Sequence, residues 1–196
     1  MLPTREQAEK LLADAEKCNP GAWGNHSRVA AYCAEKIALS CTGIDADRAY
    51  ISGLLHDIGR KFGIRHLGHV SDGYTYMNSL GYEEVGRICL THSFNNGRIE
   101  EYVGENDATE EKYQMIVSAL EGIEFDDYDR LIQLCDALAG VSCVLDVEER
   151  MRDVKNRYGF YPLEKWRKNI GLLDYFRKKT GQDIYKLLDK DGFRIP

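Results

Sequence analysis

Apolar residues recur at helical spacing along this chain, and several of the stripes they form carry a histidine or an aspartate where an apolar side chain is expected. Val29, Cys33, Ile37 and Cys41 recur every fourth residue, and His26 extends their stripe backwards by three residues. His92 completes Val85, Ile88 and Cys89 at helical spacing. Asp136 lies among Ile132, Cys135 and Ala139, while His56 and Asp57 close a helix whose other face carries Ile51, Leu54 and Leu55. Four helices thus each aim an imidazole or a carboxylate inward. Burying such groups is costly unless they are paired or coordinated. One of them alone is ordinarily a satisfied core polar group; several, all of metal-binding type, point to a shared cation. Imidazole with carboxylate and without thiolate suits Fe, Mn, Zn, Co or Ni.

The same periodicity predicts an all-α fold. Thr4 caps a first helix to about Lys17, ended by Asn19-Pro20-Gly21. A second starts near Asn25 and stops at Thr42-Gly43, and a third runs from Asp45 to about Ile58, ended at Gly59. Residues Gly59 to Gly68 read as a basic, glycine-rich loop. Helices follow over about His69–Leu80 and Glu83–His92, then a long loop from Ser93 to Asp107, of the length that often carries function. Further helices fit Ala108–Glu121, Asp127–Val141, Asp146–Tyr158, Leu163–Lys179 and Asp183–Leu188. No alternating strand is evident. The chain of 196 residues is expected to form one domain, with a core over about 20–145 and a helical extension over 146–196 that serves packing or an interface.

Charge and composition narrow the function. A formal net charge of -6 leaves no global basic field for nucleic acid. The apolar run Leu131–Leu145 is interrupted by Gln133 and Asp136, and the first ten residues lack a signal-peptide core, so a cytoplasmic protein with no membrane contact is expected. The six cysteines form no Cys-x-x-Cys pair and read as small buried hydrophobes. Neighbours on a helix point about 100° apart. His56 and Asp57 therefore share a site only if a metal sits over the helix end, or if Asp57 bridges two metals while His56 binds one.

His26, the run Gly53-Leu54-Leu55-His56-Asp57-Ile58-Gly59-Arg60 and the distant Asp136 resemble the HD-domain superfamily of metal-dependent phosphohydrolases. The resemblance spans about residues 20–145 and implies a compact helical bundle. Members with two further histidines between the HD pair and the last Asp hold two metals, and His69 and His92 sit at the matching places. The implied ligand set is His26, His56, Asp57, His69, His92 and Asp136, with Asp57 as bridge. His66, one turn earlier, could replace His69, which is preferred because it opens a regular helix.

The six-ligand pattern looks most like that of symmetrical bis(5′-nucleosyl)-tetraphosphatases. It implies two divalent metals per chain, iron foremost, and a small phosphorylated substrate such as a nucleotide; a homodimer is compatible. Asp57, Arg60 and Lys61 are the candidate catalytic residues, the two cations stabilising charge on phosphoryl oxygens. Helix-dipole compensation explains those cations as readily. Arg98 is a weaker candidate, and Asn95 and Asn96 could contact a base or simply form a turn. Two other classes stay open: an HD-fold di-iron oxygenase, and a metal-holding module that senses a nucleotide without turnover.

Overall fold

The computed structural model describes residues 1–63 and 65–195; Ile64, inside the predicted basic loop, lies outside the described residues. Ten α-helices follow in order: α1 (Arg5–Cys18), α2 (Trp23–Leu39), α3 (Ala46–Leu55), α4 (Gly68–Ser79), α5 (Glu83–Thr91), α6 (Glu110–Leu120), α7 (Asp127–Leu138), α8 (Val147–Tyr158), α9 (Leu163–Thr180) and α10 (Ile184–Leu187). Two isolated bridges, Ala139 with Val144 and Cys143 with Arg194, are the sole β-type pairings among the described residues. No helix among those residues is long and apolar enough to cross a membrane.

Local chemistry accounts for the starts of most helices. Thr4 and Gln7 form a reciprocal capping box on α1, and Asp126 with Asp129 does the same on α7. Asp45, Thr109, Asp146 and Asp183 each accept a backbone N–H at the start of α3, α6, α8 and α10. The long loop after α5 contains a single 3₁₀ turn, Ile99–Glu101.

Two boundaries differ from the sequence reading in ways that matter. The second helix begins at Trp23, which takes His26 into the interior of its first turn. The third ends at Leu55 rather than Ile58, and a 3₁₀ turn, Ile58–Phe62, takes over through Gly59. His56 keeps helical dihedrals, whereas Asp57 moves to φ −100°, ψ 12°, the sparsely populated bridge region where many active-site residues sit.

The glycines of Gly53-Leu54-Leu55-His56-Asp57-Ile58-Gly59 have a packing role. A Cβ at Gly53 would lie 2.8 Å from the Ala31 backbone, so its absence lets α3 lie directly on α2. A Cβ at Gly59 would collide with the His69 carbonyl and lie 2.5 Å from the Gly73 nitrogen, so the 3₁₀ turn docks backbone to backbone on α4.

Three apolar clusters hold the helices. One joins α2 and α7 to the C-terminal helices through Val29, Cys33, Leu131, Cys135, Met151 and Phe176. A second gathers α1, α3 and the facing sides of α2, α4 and α5, and a third lies under α6. Cys33, Cys41, Cys89 and Cys135 are buried and unbridged, as the small-hydrophobe reading requires; Cys18 departs from it and is exposed.

Candidate metal centre

Five helix ends converge on one point. His26 is in the first turn of α2 and His69 in that of α4, while His56 follows the last residue of α3, His92 follows that of α5, and Asp136 lies in the last turn of α7. Three C-terminal ends and two N-terminal ends meet there, so the partial charges of the helices add up in favour of a cation. Asp129, fully buried in the first turn of α7, accepts from Arg87 and Thr91 and ties α7 to α5.

At the centre, Asp57 places Oδ1 3.0 Å from His69 Nε2 and 3.6 Å from His92 Nε2. Its Oδ2 lies 3.9 Å from His56 Nε2 and accepts from Arg60 Nε at 2.6 Å. Asp136 Oδ1 is 3.0 Å from His26 Nε2 and 4.0 Å from His56 Nε2. Two triads emerge, His26–His56–Asp57 and Asp57–His69–His92, and they share Asp57. All four of these histidines and Asp57 are buried, while Asp136 is half-buried along the wall of a cleft.

The other ring nitrogens decide what these atoms are. Each Nδ1 faces a backbone carbonyl: Ala139 at 3.2 Å for His26, Gly53 at 2.7 Å for His56, His66 for His69 and Cys89 at 2.9 Å for His92. A carbonyl can only accept, so each Nδ1 carries a proton, and Nε2 is the nitrogen that each ring turns toward the cluster. His69 Nε2 and His92 Nε2 stand 3.2 Å apart, with a carboxylate oxygen beside them. His56 Nε2 is buried with no hydrogen-bond partner. Four imidazole nitrogens and two carboxylates in one cluster fit a divalent cation, and the four carbonyls supply the outer hydrogen bonds that orient ligating imidazoles.

Electrostatics agree. Burial, reinforced by neighbouring imidazoles, holds His56 below its ordinary pKa and pushes His92 down to about 3, so both rings are neutral. Burial alone would raise the Asp57 carboxyl, but Arg60, His69 and His56 hold it well below the usual range. Asp136 is likewise lowered, against its burial, by the hydrogen bond to His26 and by the imidazoles around it.

The residues predicted from sequence do not all arrive here. His66 stays outside the cluster, with its Nε2 3.9 Å from Glu105; its carbonyl instead accepts from His69. Arg60 lines the cleft beside Asp57. Lys61 does not line it, and its ammonium sits 4.0 Å above the Tyr76 ring. Arg98 is exposed and pairs with Glu101, and Asn96 bonds the same carboxylate. Asn95 lines the cleft, with its Nδ2 donating to Asn169 at 2.7 Å.

The cleft has a volume of about 540 Å³, with the cluster on its floor. Much of its wall comes from α8, α9 and the segment joining them, including Arg150, Arg157, Tyr158, Tyr161 and Lys165. The extension after Asp146, expected to serve packing or an interface, therefore also forms part of the cleft wall. A partial signal was present: Leu172, Leu173 and Phe176 are the buried stripe of α9, and Asn169 extends it backwards by one turn. That is the pattern that singled out His26.

Among families of known proteins, the one described as HD domain matches residues 23–140, which end just past α7. No curated protein and no solved structure matches the chain.

Proposed function

The chain belongs to the HD-domain family, a membership that implies metal-dependent phosphohydrolase activity, and on that premise we propose that it hydrolyses a nucleotide or dinucleoside polyphosphate at a two-metal centre. The observation that carries the reading is the pair of triads joined at Asp57, whose two carboxylate oxygens face different histidines. In the proposed ligand set His26, His56 and Asp136 would hold one cation and His69 and His92 the other, with Asp57 a member of both triads. Divalent cations in such a set supply Lewis acidity toward phosphoryl oxygens and a water acidic enough to attack phosphorus near neutral pH.

The chain's own groups do the rest. The carbonyls of Ala139, Gly53, His66 and Cys89 fix each imidazole with its Nε2 turned toward the cluster. Arg60 holds Asp57 in place and donates to the Arg65 carbonyl, leaving guanidinium charge along the cleft for phosphoryl oxygens. Lys61 has no part in this assignment, since its charge is directed at Tyr76. The cleft volume is in the range that takes a ligand of nucleotide size, and Trp23, Tyr102 and Tyr158 along its walls suit a base.

The test is purification without oxygen, reconstitution with Fe(II), Mn(II) or Co(II), and a hydrolysis panel of nucleotides that includes diadenosine tetraphosphate. Metal-dependent cleavage supports the proposal. No metal-dependent cleavage across the panel overturns it, and iron-loaded protein that instead consumes oxygen belongs to the oxygenase class.

A further inference from the structure

Four lysine and arginine side chains line the cleft, and three of them already have a carboxylate partner. Arg60 is paired with Asp57, and Arg150 and Arg157 both reach Asp153, at 3.3 and 3.0 Å. Lys165 is different: among the described residues it forms no ion pair. Its Nζ donates to the Ser93 carbonyl at 2.6 Å and approaches the Glu101 carbonyl at 3.5 Å. The Glu101 carboxylate is unavailable to it, being engaged by the Asn96 amide and by Arg98.

A charge removed from water without a counter-charge is costly, and a fold retains it where a ligand brings the missing charge. Two carbonyl contacts account for two of the three ammonium donors. The third is without a protein acceptor, in a cleft whose floor is the Asp57 and histidine cluster. The charge is not lost at neutral pH, for burial lowers the Lys165 pKa only to about 8. Asp136 and Glu101 act on it at longer range, and cations bound at Asp136 would leave Lys165 less compensated. Asn169, one turn along the same face, holds Tyr161 at 2.9 Å and Asn95 at 2.7 Å, which fixes the wall around Lys165.

We propose that Lys165 is the phosphate-anchoring residue of the cleft, binding a phosphoryl group of the substrate from the wall that α9 adds beyond the family-matched segment. The inference rests on the cleft being a phosphate site, as in the preceding section, and it assigns the ligand class as a di- or polyphosphate anion. It involves no bond making or breaking: Lys165 contributes a charged hydrogen bond to oxygens of the bound group.

The experiment is calorimetric titration of Mn(II)-loaded full-length protein with inorganic pyrophosphate, using wild type, Lys165→Gln and Lys165→Arg. The glutamine keeps an N–H donor for the Ser93 carbonyl while removing the charge. Manganese content and thermal midpoint are measured for each protein. Loss of a charged hydrogen bond should weaken pyrophosphate binding at least about tenfold in Lys165→Gln, with arginine restoring most of it and metal content unchanged. Equal affinity in wild type and Lys165→Gln overturns the assignment, as does wild type that fails to bind pyrophosphate. The two readings fail separately. Charge-dependent binding without hydrolysis of any nucleotide retains the anchor and rejects the hydrolase, whereas hydrolysis with an unchanged KM in Lys165→Gln does the reverse.

Discussion

Replacing Gly59 by alanine tests whether the docking of the 3₁₀ turn on α4 sets the geometry of the cluster. The added Cβ would overlap the His69 carbonyl and lie 2.5 Å from the Gly73 nitrogen, both inside the 3.0 Å that real Cβ atoms keep. Both obstacles are backbone, so no rotamer change relieves them, and α4 must move off the turn by about 1 Å in a closely packed interior. His69 rides on α4 and Asp57 immediately precedes the turn, and their 3.0 Å approach would open by a similar amount. Overpacking of this kind costs about 2 kcal/mol, or a fall in thermal midpoint of about 4–8 °C for a chain of this size. A displacement of 1 Å at a catalytic constellation is worth about 10²-fold in rate. Differential scanning calorimetry of the metal-free protein and Mn(II) titration of the folded variant measure the two effects apart. Gly59→Ala with wild-type midpoint and wild-type metal affinity would refute the reasoning.

Other substitutions separate the roles assigned above. Arg60→Ala should lower kcat by about 10²-fold, because a preorganised cation beside the phosphoryl oxygens is lost. Lys61→Ala should change kcat by less than about twofold and stability by no more than about 1 kcal/mol, the worth of an exposed cation–π contact; a catalytic loss as large as that of Arg60→Ala would return Lys61 to the mechanism. Cys135→Ser should keep its full metal complement while its thermal midpoint falls, since Cys135 is buried in the apolar core and burial raises its thiol pKa far above neutrality. Metal loss from that variant while still folded would show that the cysteine had been misread.

The helical fold was legible because its signals are local. Caps such as Thr4, Asp45 and Asp146 act within one turn, and the apolar stripes have a single period. His26, His92 and Asp136 stood out because each interrupts such a stripe, and the structure brings all three to one place. Exact helix ends were less legible: His56 and Asp57 read as the end of one helix, whereas α3 stops at Leu55 and these two residues join it to the 3₁₀ turn from Ile58, with both side chains at the same centre. That break depends on Gly59 meeting α4, a contact between segments that no local pattern reveals. The cleft wall was missed for a different reason. Lys165 sits among Glu164, Arg167 and Lys168, in what reads as a solvated run, and only the packing of α9 against α7 turns it inward. Local periodicity identifies a buried polar residue only when its neighbours on the stripe are apolar, and Lys165 lies beyond the apolar part of its own.

The most direct test of the account is the metal stoichiometry of wild type, His69→Ala, His26→Ala and Asp57→Ala, measured by equilibrium titration with Co(II) under anaerobic conditions. Two triads joined at one carboxylate predict about two cations per chain in wild type and about one in each histidine variant. Asp57→Ala should bind neither with comparable affinity and should be inactive. Full occupancy in Asp57→Ala, or a wild-type protein that binds no cation, would contradict the shared-carboxylate centre on which the functional reading stands.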